Sequence, residues 1–136
     1  MRGQRGSALL EFAIAWPVTL LLVVGAVQLA VWGSEAYAVR ESALAGARAG
    51  SGVGGGPTIA EAAALSTLRP SLVGVSASAW CPGLPGHPRL WVCVRLYSAT
   101  IDVRIGGSVP ALVPLLPGAG GLPVGADVAL PRERFQ

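Results

Sequence analysis

Charged and chemically reactive side chains are scarce in this sequence. Lysine is absent, so the ten cationic side chains are all arginine, and with seven carboxylates they give a formal net charge of +3 over 136 residues. The arginines are spread thinly, and without a basic run to follow phosphates we expect no nucleic-acid partner. The single histidine, His87, lies in a proline-rich turn. Because catalysis needs titratable groups that converge on one site, we predict no enzyme, no metal site and no cofactor.

Hydrophobic residues, by contrast, make up 52% of the chain. Residues 12–32 carry no charge, and at a rise of ~1.5 Å per residue a helix of this length reaches ~30 Å, the thickness of a bilayer hydrocarbon core. A buried core helix is the alternative, but a helix that is apolar on all faces needs a large protein around it. We therefore predict one membrane span in a lipid bilayer, followed by at most one small domain.

The residues that flank this run predict its orientation. Arg2 and Arg5 precede it, whereas residues 35–41 carry charges of both signs. The positive-inside rule then places the N-terminus in the cytoplasm and the rest of the chain on the export side. Trp32 and Tyr37 fall near the outer interface, where amphipathic rings prefer to lie, although ordinary aromatic packing explains them equally well.

An acidic residue, Glu11, stands at the inner edge of the apolar run. A carboxylate carried to the bilayer centre would cost ~2.5–3.5 kcal/mol on insertion scales, so an acid at this position favours the presence of a partner. A glutamate that only extends to the membrane interface is the alternative.

The residues around Glu11 resemble a known processing signal. Residues 5–12 read RGSALLEF, which is similar to the site at which type IV prepilins are cut. In that family a peptidase cleaves after the glycine, and the glutamate is the fifth residue of the mature chain. Gly6 and Glu11 keep this spacing, and Ser7 occupies the first mature position, where many major pilins have phenylalanine.

Two further segments make the resemblance more specific. Residues 11–17 read EFAIAWP and resemble the TadE-type motif, in which a proline follows the glutamate by six residues. Residues 40–48 read RESALAGAR and resemble the alanine-rich helix end of the same family. The resemblance covers residues 5–50 well and is looser beyond them.

Membership of the TadE-like pseudopilin family would imply a function and a location. The chain would be a non-catalytic minor pseudopilin or assembly subunit of a Tad (Flp) type IV-like pilus or secretion system, with a single span in the cytoplasmic (inner) membrane. Its partners would be a prepilin peptidase, other pilins and pseudopilins, and the Tad inner-membrane assembly proteins. Glu11 would neutralise the new amine at Ser7 of a neighbouring subunit.

Two other interpretations of the N-terminus stay open. The first is an unprocessed, single-pass, membrane-anchored binding protein with its domain outside the cytoplasm. The second is a secretory signal peptide cut after Ala38, so that the mature chain begins at Val39. Hydrophobic regions of signal peptides are shorter, however, and do not usually begin with an acid.

The pattern beyond the span predicts an α+β fold. Its predicted parts are a leader at residues 1–6, a transmembrane and extended helix at 7–49, a glycine-rich linker at 50–57 and a small export-side domain at 58–136. The domain is predicted to open with a short helix over residues 58–69, begun by a capping box in which Thr58 is followed by Glu61.

Alternating apolar residues predict a few antiparallel strands in this domain. Strands over residues 72–80 and 90–97 are expected to pair, with a third over 100–105 and a last one near 126–130. Between the last two, residues 106–125 are rich in proline and glycine and exclude a regular helix. We expect an extended apolar loop there, which either packs over the sheet or forms a contact surface for another protein or the membrane.

The only two cysteines, Cys81 and Cys93, bracket a connection dense in turn-forming residues. In an oxidising compartment a disulfide between them would close a loop worth ~3 kcal/mol by the chain-entropy model. A zinc site with His87 would have too few ligands, and a redox pair would need CxxC spacing. We therefore predict a structural disulfide, with two free thiols as the remaining alternative.

Overall fold

A computed structural model describes the backbone of residues 4–111 and 121–133, with side chains described from residue 9 onward. Its elements are a long helix, a short second helix followed by a 3₁₀ turn, and four strands in one sheet. This arrangement confirms the α+β class predicted from the sequence.

The first helix, α1 (Gln4–Ser51), is 48 residues long and continues through Pro17. Every side chain from residue 9 to residue 23 is exposed, and only 6% of the most apolar window is buried. A core helix would be covered by other elements, so the alternative of a buried core helix is wrong for this half. Within the described residues, α1 is the one helix that is long and apolar enough to cross a membrane.

The second half of α1 belongs to the folded domain. Its buried positions lie on one helical stripe and are Gln28, Glu35, Val39, Ser42, Ala43, Gly46, Ala47 and Gly50. The sequence predicts that the helix continues to about Gly50, and the observed end at Ser51 agrees with this. The same helix that contains the apolar segment therefore also forms a packing surface of the domain.

The second helix, α2 (Pro57–Leu68), confirms the helix predicted over residues 58–69, but its start differs. Gly56 is the N-cap and Pro57 the first helical residue, with no side-chain capping bond. Proline suits this position because it lacks the amide hydrogen that would be unsatisfied there. Thr58 is thus already inside the helix, and the predicted capping box with Glu61 is wrong.

The two helices pack closely at small residues. A Cβ atom added to Gly46 would lie 2.8 Å from the Ala60 carbonyl oxygen and 2.9 Å from the Ala64 Cβ, and one added to Gly50 would lie 2.7 Å from the Ala60 Cβ. These distances are well inside van der Waals contact, so glycine permits the approach. Of the glycine-rich residues 50–57, only the turn at 52–56 is left between the helices.

The sheet has the order β1-β2-β3-β4, with β4 at one edge. Its strands are β1 (Ala77–Ala79), β2 (Leu90–Leu96), β3 (Thr100–Val109) and β4 (Leu122–Pro131). β2, β3 and β4 pair antiparallel, as predicted. Both helices cover the same face of the sheet, α1 over β3 and β4, and α2 mainly over β1 and β2.

The prediction for the first strand is wrong in length and in direction. The strand covers only Ala77–Ala79 instead of 72–80, and it pairs with β2 in parallel. Gly74 has a φ of 71°, which ends extended structure before it, and Val73 is 61% exposed instead of buried. The proline-rich connection after β1 cannot form a tight hairpin, so the chain crosses back and enters β2 beside the start of β1.

The last two strands are longer than predicted. β3 continues to Val109 and β4 begins at Leu122, so both ends of the predicted loop over residues 106–125 are paired strand. The glycine and proline in these ends hide the period-two alternation that marks a strand, and Pro123 is tolerated because it lies on an edge strand. Residues 112–120, the centre of that loop, lie outside the described residues.

Candidate functional site

The predicted processing site lies at the start of α1. The backbone is helical from Gln4, so Gly6 and Ser7 fall in its first turns, while their side-chain surroundings lie outside the described residues. Glu11 follows Ser7 by four residues, a spacing that puts two residues on one helical face ~5–6 Å apart. The predicted cleavage site and the acid are therefore close neighbours at the same end of the helix.

The surface around Glu11 is apolar and stands clear of the domain. Glu11 itself is exposed, as are its neighbours Leu10 and Phe12. The ring of Phe12 stacks on Trp16 with centroids 6.0 Å apart. This end of α1 thus combines one carboxylate with large apolar side chains, a surface that suits lipid or other apolar helices better than water.

Two hydrogen bonds connect the second half of α1 to the rest of the domain. The Trp32 indole nitrogen donates to the main-chain oxygen of Pro123 on β4 at 3.1 Å. The Glu35 carboxylate, 2% exposed, accepts from the main-chain amide of Val73 at 3.4 Å. On the N-terminal side of these two hydrogen bonds there is an open apolar groove of about 490 Å³. It is lined by Leu21, Leu22, Gly25, Ala26, Gln28, Leu29, Trp32 and Leu122. The orientation of the apolar segment relative to the domain is thus fixed by specific contacts.

Cys81 and Cys93 form a disulfide, with their Cα atoms 4.7 Å apart. Cys93 is on the face of β2 that points away from the helices, opposite Arg104 of β3. The bond ties the turn-rich connection to this outer face, and Trp80 adds a main-chain hydrogen bond to the Val92 oxygen at 3.0 Å. The predicted pairing is confirmed, and neither cysteine is left as a free thiol.

The outer face carries an aromatic cluster beside this disulfide. Trp80 contacts Trp91 edge to face at 5.8 Å between centroids and contacts the His87 ring at 5.6 Å. The Trp91 ring covers Gly106 on the neighbouring strand, where an added Cβ would lie 2.6 Å from the indole. His87 therefore packs in the folded connection, and among the described residues no group of three His, Cys, Asp or Glu side chains could hold a metal ion.

Charged residues on the outer face form a second cluster, across β3 and β4. Arg104 donates two hydrogen bonds to one Asp127 carboxylate oxygen, at 2.6 and 3.0 Å, and lies 3.8 Å from Asp102. Burial, together with the adjacent Asp127, raises the pKa of Asp102 above its usual value. A hydrogen bond from Asp102, followed by the contact with Arg104, lowers the pKa of Asp127. The contact between Arg104 and Asp127 holds β3 and β4 together.

The sequence analysis missed the contacts that join α1 to the domain. A spacing of seven residues between Gln28, Glu35 and Ser42 marks one helical stripe and was the available signal, since polar residues on a stripe that continues a membrane span suggest contact with protein. The edge position of β4 could not be predicted, because its first half is rich in glycine and proline.

Comparisons with known proteins add no relative to this picture: no family model, no curated protein and no solved structure matches the chain. The function must therefore be argued from the residues and their geometry.

Proposed function

We propose that this protein is a non-catalytic minor pseudopilin or assembly subunit of a Tad (Flp) type IV-like pilus or secretion system. The observation that carries the proposal is the form of α1: one uninterrupted helix with Glu11 near its start, a bare apolar half and a half that forms the spine of a small disulfide-bonded domain. Such a helix can hold a subunit in a membrane and present the same apolar surface to other subunits.

The two hydrogen bonds between α1 and the rest of the domain favour a helix that is retained in the mature protein over a signal peptide that is cleaved. Cleavage after Ala38 would remove Trp32 and Glu35, and with them the hydrogen bonds to Pro123 and Val73. It would also cut a continuous helix whose next residue, Val39, is fully buried. A segment that is discarded after export has no reason to form these contacts.

The charge pattern supports the direction in which the chain is inserted. Arg2 and Arg5 favour a cytoplasmic N-terminus, which places the domain on the export side of the inner membrane. The Cys81–Cys93 disulfide agrees with that side, because disulfides persist in oxidising compartments. A prepilin peptidase would then act on the bond after Gly6 at the cytoplasmic surface.

The first test is the mature N-terminus. We expect protein purified from its native membrane to begin at Ser7, because Gly6 and Glu11 keep the prepilin spacing, and intact-mass analysis would show the loss of residues 1–6. The same measurement on Gly6→Val should give the uncut chain. A wild-type start at Met1 while a functional peptidase is present would favour the unprocessed membrane-anchored binding protein, and a start at Val39 would favour the signal peptide.

The second test is the role of Glu11 in assembly. Glu11→Gln keeps the shape and removes the charge, and it makes membrane insertion easier. If Glu11 neutralises the Ser7 amine of a neighbouring subunit, the variant should reach the membrane and be processed, but fail to co-purify with partner pilins. Glu61→Gln, the same change on α2 of the domain, is the matched control and should co-purify normally. Normal piliation by Glu11→Gln at native expression would contradict the pairing.

A further inference from the structure

The part of α1 that the domain leaves bare is too short to cross a bilayer by itself. Side chains are exposed without a break from residue 9 to residue 23, and partial burial begins at Val24 and Gly25. The uncharged bare residues 12–23 measure ~18 Å at ~1.5 Å per residue, whereas a bilayer hydrocarbon core is ~30 Å thick. A membrane span therefore needs residues on one side or the other of this bare stretch.

The missing length comes from the C-terminal side at the lower cost. About 20 residues that ended at Val23 would begin at Gln4, and they would carry Arg5 and Glu11 into the hydrocarbon, where charged groups are costly. Residues 24–32 carry no charge and bring the span to ~32 Å. These nine residues of α1 therefore lie in the bilayer if the helix crosses it.

The same residues lie beside the start of β4. Trp32 donates its indole hydrogen to the Pro123 oxygen at 3.1 Å. Leu122, the first residue of β4, lines the apolar groove of about 490 Å³ together with α1 as far back as Leu21. Gln28, another residue of this lining, is only 5% exposed. A bilayer that surrounds residues 24–32 thus also meets the start of β4.

The end of the β3–β4 hairpin, at the paired residues Val109 and Leu122, is chemically suited to lipid. The sequence has no charged side chain from residue 105 to residue 126. Pro123 lacks an amide hydrogen, and its oxygen accepts the hydrogen bond from Trp32. Because lipid excludes main-chain groups that have no partner, a proline with a bonded oxygen is well placed here.

We propose that the end of the β3–β4 hairpin lies in the export-side leaflet of the bilayer, and that a lipid acyl chain fills the groove between Leu122 and α1. A helix is ~10–12 Å across, so a groove of about 490 Å³ holds only about one turn of it and suits an acyl chain better. Trp32 then lies near the outer interface, which amphipathic rings favour. This inference rests on the membrane span in the proposed function, and it adds a second contact of the domain with lipid.

The first test measures the depth of single labelled positions. The full-length chain carries a fluorophore on one introduced cysteine, since both native cysteines are in the disulfide. It is reconstituted into vesicles of phosphatidylethanolamine and phosphatidylglycerol, in which some acyl chains carry a nitroxide quencher. The label at Leu122→Cys should be quenched as strongly as at Leu20→Cys in the bare part of α1. It should be quenched several-fold more strongly than at the exposed Ala99→Cys, beside the opposite end of the hairpin.

A second measurement needs no substitution. The wild-type protein is irradiated in the same vesicles, with a photoreactive diazirine on the lipid acyl chain, and is then digested with trypsin. Cleavage at arginine releases residues 105–132, which contain the hairpin end, and residues 96–104, which start at the opposite end. Lipid adducts should be several-fold more frequent in the first peptide than in the second.

A pair of glycine variants tests the groove itself. Gly25 lines the groove, and a Cβ atom added there meets no atom within 4 Å, so Gly25→Leu places a side chain where the acyl chain would lie. It should lower the yield of adducts in residues 105–132 several-fold. Gly33→Leu is the matched control, because its added Cβ also meets no atom within 4 Å and it does not line the groove. It should leave the yield unchanged.

The outcomes separate this inference from the proposed function. Quenching at Leu20→Cys without quenching at Leu122→Cys, or equal adducts in the two peptides, would leave the span in place and overturn the lipid contact of the hairpin. An unchanged adduct yield in Gly25→Leu would overturn the acyl chain in the groove. A label at Leu20→Cys that is not quenched would overturn the membrane span and, with it, this inference.

Discussion

The contact between α1 and α2 provides the sharpest test of the packing. We predict that Gly46→Ala destabilises the domain, although alanine is the better helix former. The added Cβ would lie 2.8 Å from the Ala60 oxygen and 2.9 Å from the Ala64 Cβ. Carbon atoms pack best at ~3.5–4.0 Å, so the helices would have to separate by ~0.6 Å or more. The nearest obstacle is a main-chain oxygen, which cannot rotate away as a long side chain could.

The magnitude follows from two opposing effects. Overpacking a well-packed core typically costs ~1–3 kcal/mol. Replacing glycine by alanine inside a helix returns ~0.8–1.0 kcal/mol. The net effect is a decrease of up to ~2 kcal/mol in the free energy of unfolding. For a domain of this size, each kcal/mol lowers the melting temperature by ~4–8 °C.

The assay is thermal unfolding of the full-length protein in detergent, followed by the fluorescence of its four tryptophans. Gly33→Ala is the matched control, because it lies in the same helix and an added Cβ would meet no atom within 4 Å. It should melt at or above the wild-type temperature, and Gly46→Ala should melt several degrees below it. Equal melting of the two variants would refute the close packing of α1 on α2.

Three further predictions concern the domain. Replacing Cys81 and Cys93 together by serine should lower the free energy of unfolding by ~3 kcal/mol, measured by denaturant titration without reductant, with the reduced wild type as control. Trp32→Phe keeps a ring but loses the hydrogen bond to β4, and should cost ~0.5–1.5 kcal/mol in the same titration. Because the folded pKa of Asp127 is lowered by Asp102 and by the adjacent guanidinium, its stabilisation is present above the ordinary carboxyl pKa and is lost as the pH falls through the folded value. Asp127→Asn should therefore have a lower free energy of unfolding than wild type at pH 7, by less than ~1 kcal/mol. A difference that persists in strong acid would contradict this.

Local signals in the sequence predicted the elements that depend on neighbouring residues. The apolar run and the alanine-rich segment after it predicted α1 to within two residues of its end at Ser51, and the alanine-rich stretch before Pro70 predicted α2. The turn-rich connection between Cys81 and Cys93 predicted their disulfide. In each case the physical cause lies within a short stretch of chain.

Pairing over longer distances could not be read in the same way. The alternation in residues 72–80 fits a strand of either direction, and the parallel pairing of β1 depends on how the disulfide-bonded connection folds back. The outer half of the β3–β4 hairpin lacks alternation because Gly106 yields its side-chain space to Trp91. The position of β4 at the edge of the sheet follows only from the order of the strands, which no single segment specifies.

The polar stripe of α1 bears on how the apolar segment and the domain keep their alignment. Gln28, Glu35 and Ser42 follow one another at seven residues, which is ~20° short of two helical turns, so they lie on one stripe, and all three are buried. A stripe of alanine alone could shift by one turn at little cost. Moving the Glu35 carboxylate away from the Val73 amide would leave a buried carboxylate without this hydrogen bond, at a cost of ~1–3 kcal/mol. We therefore infer that the Glu35 contact favours one register of α1 against the domain.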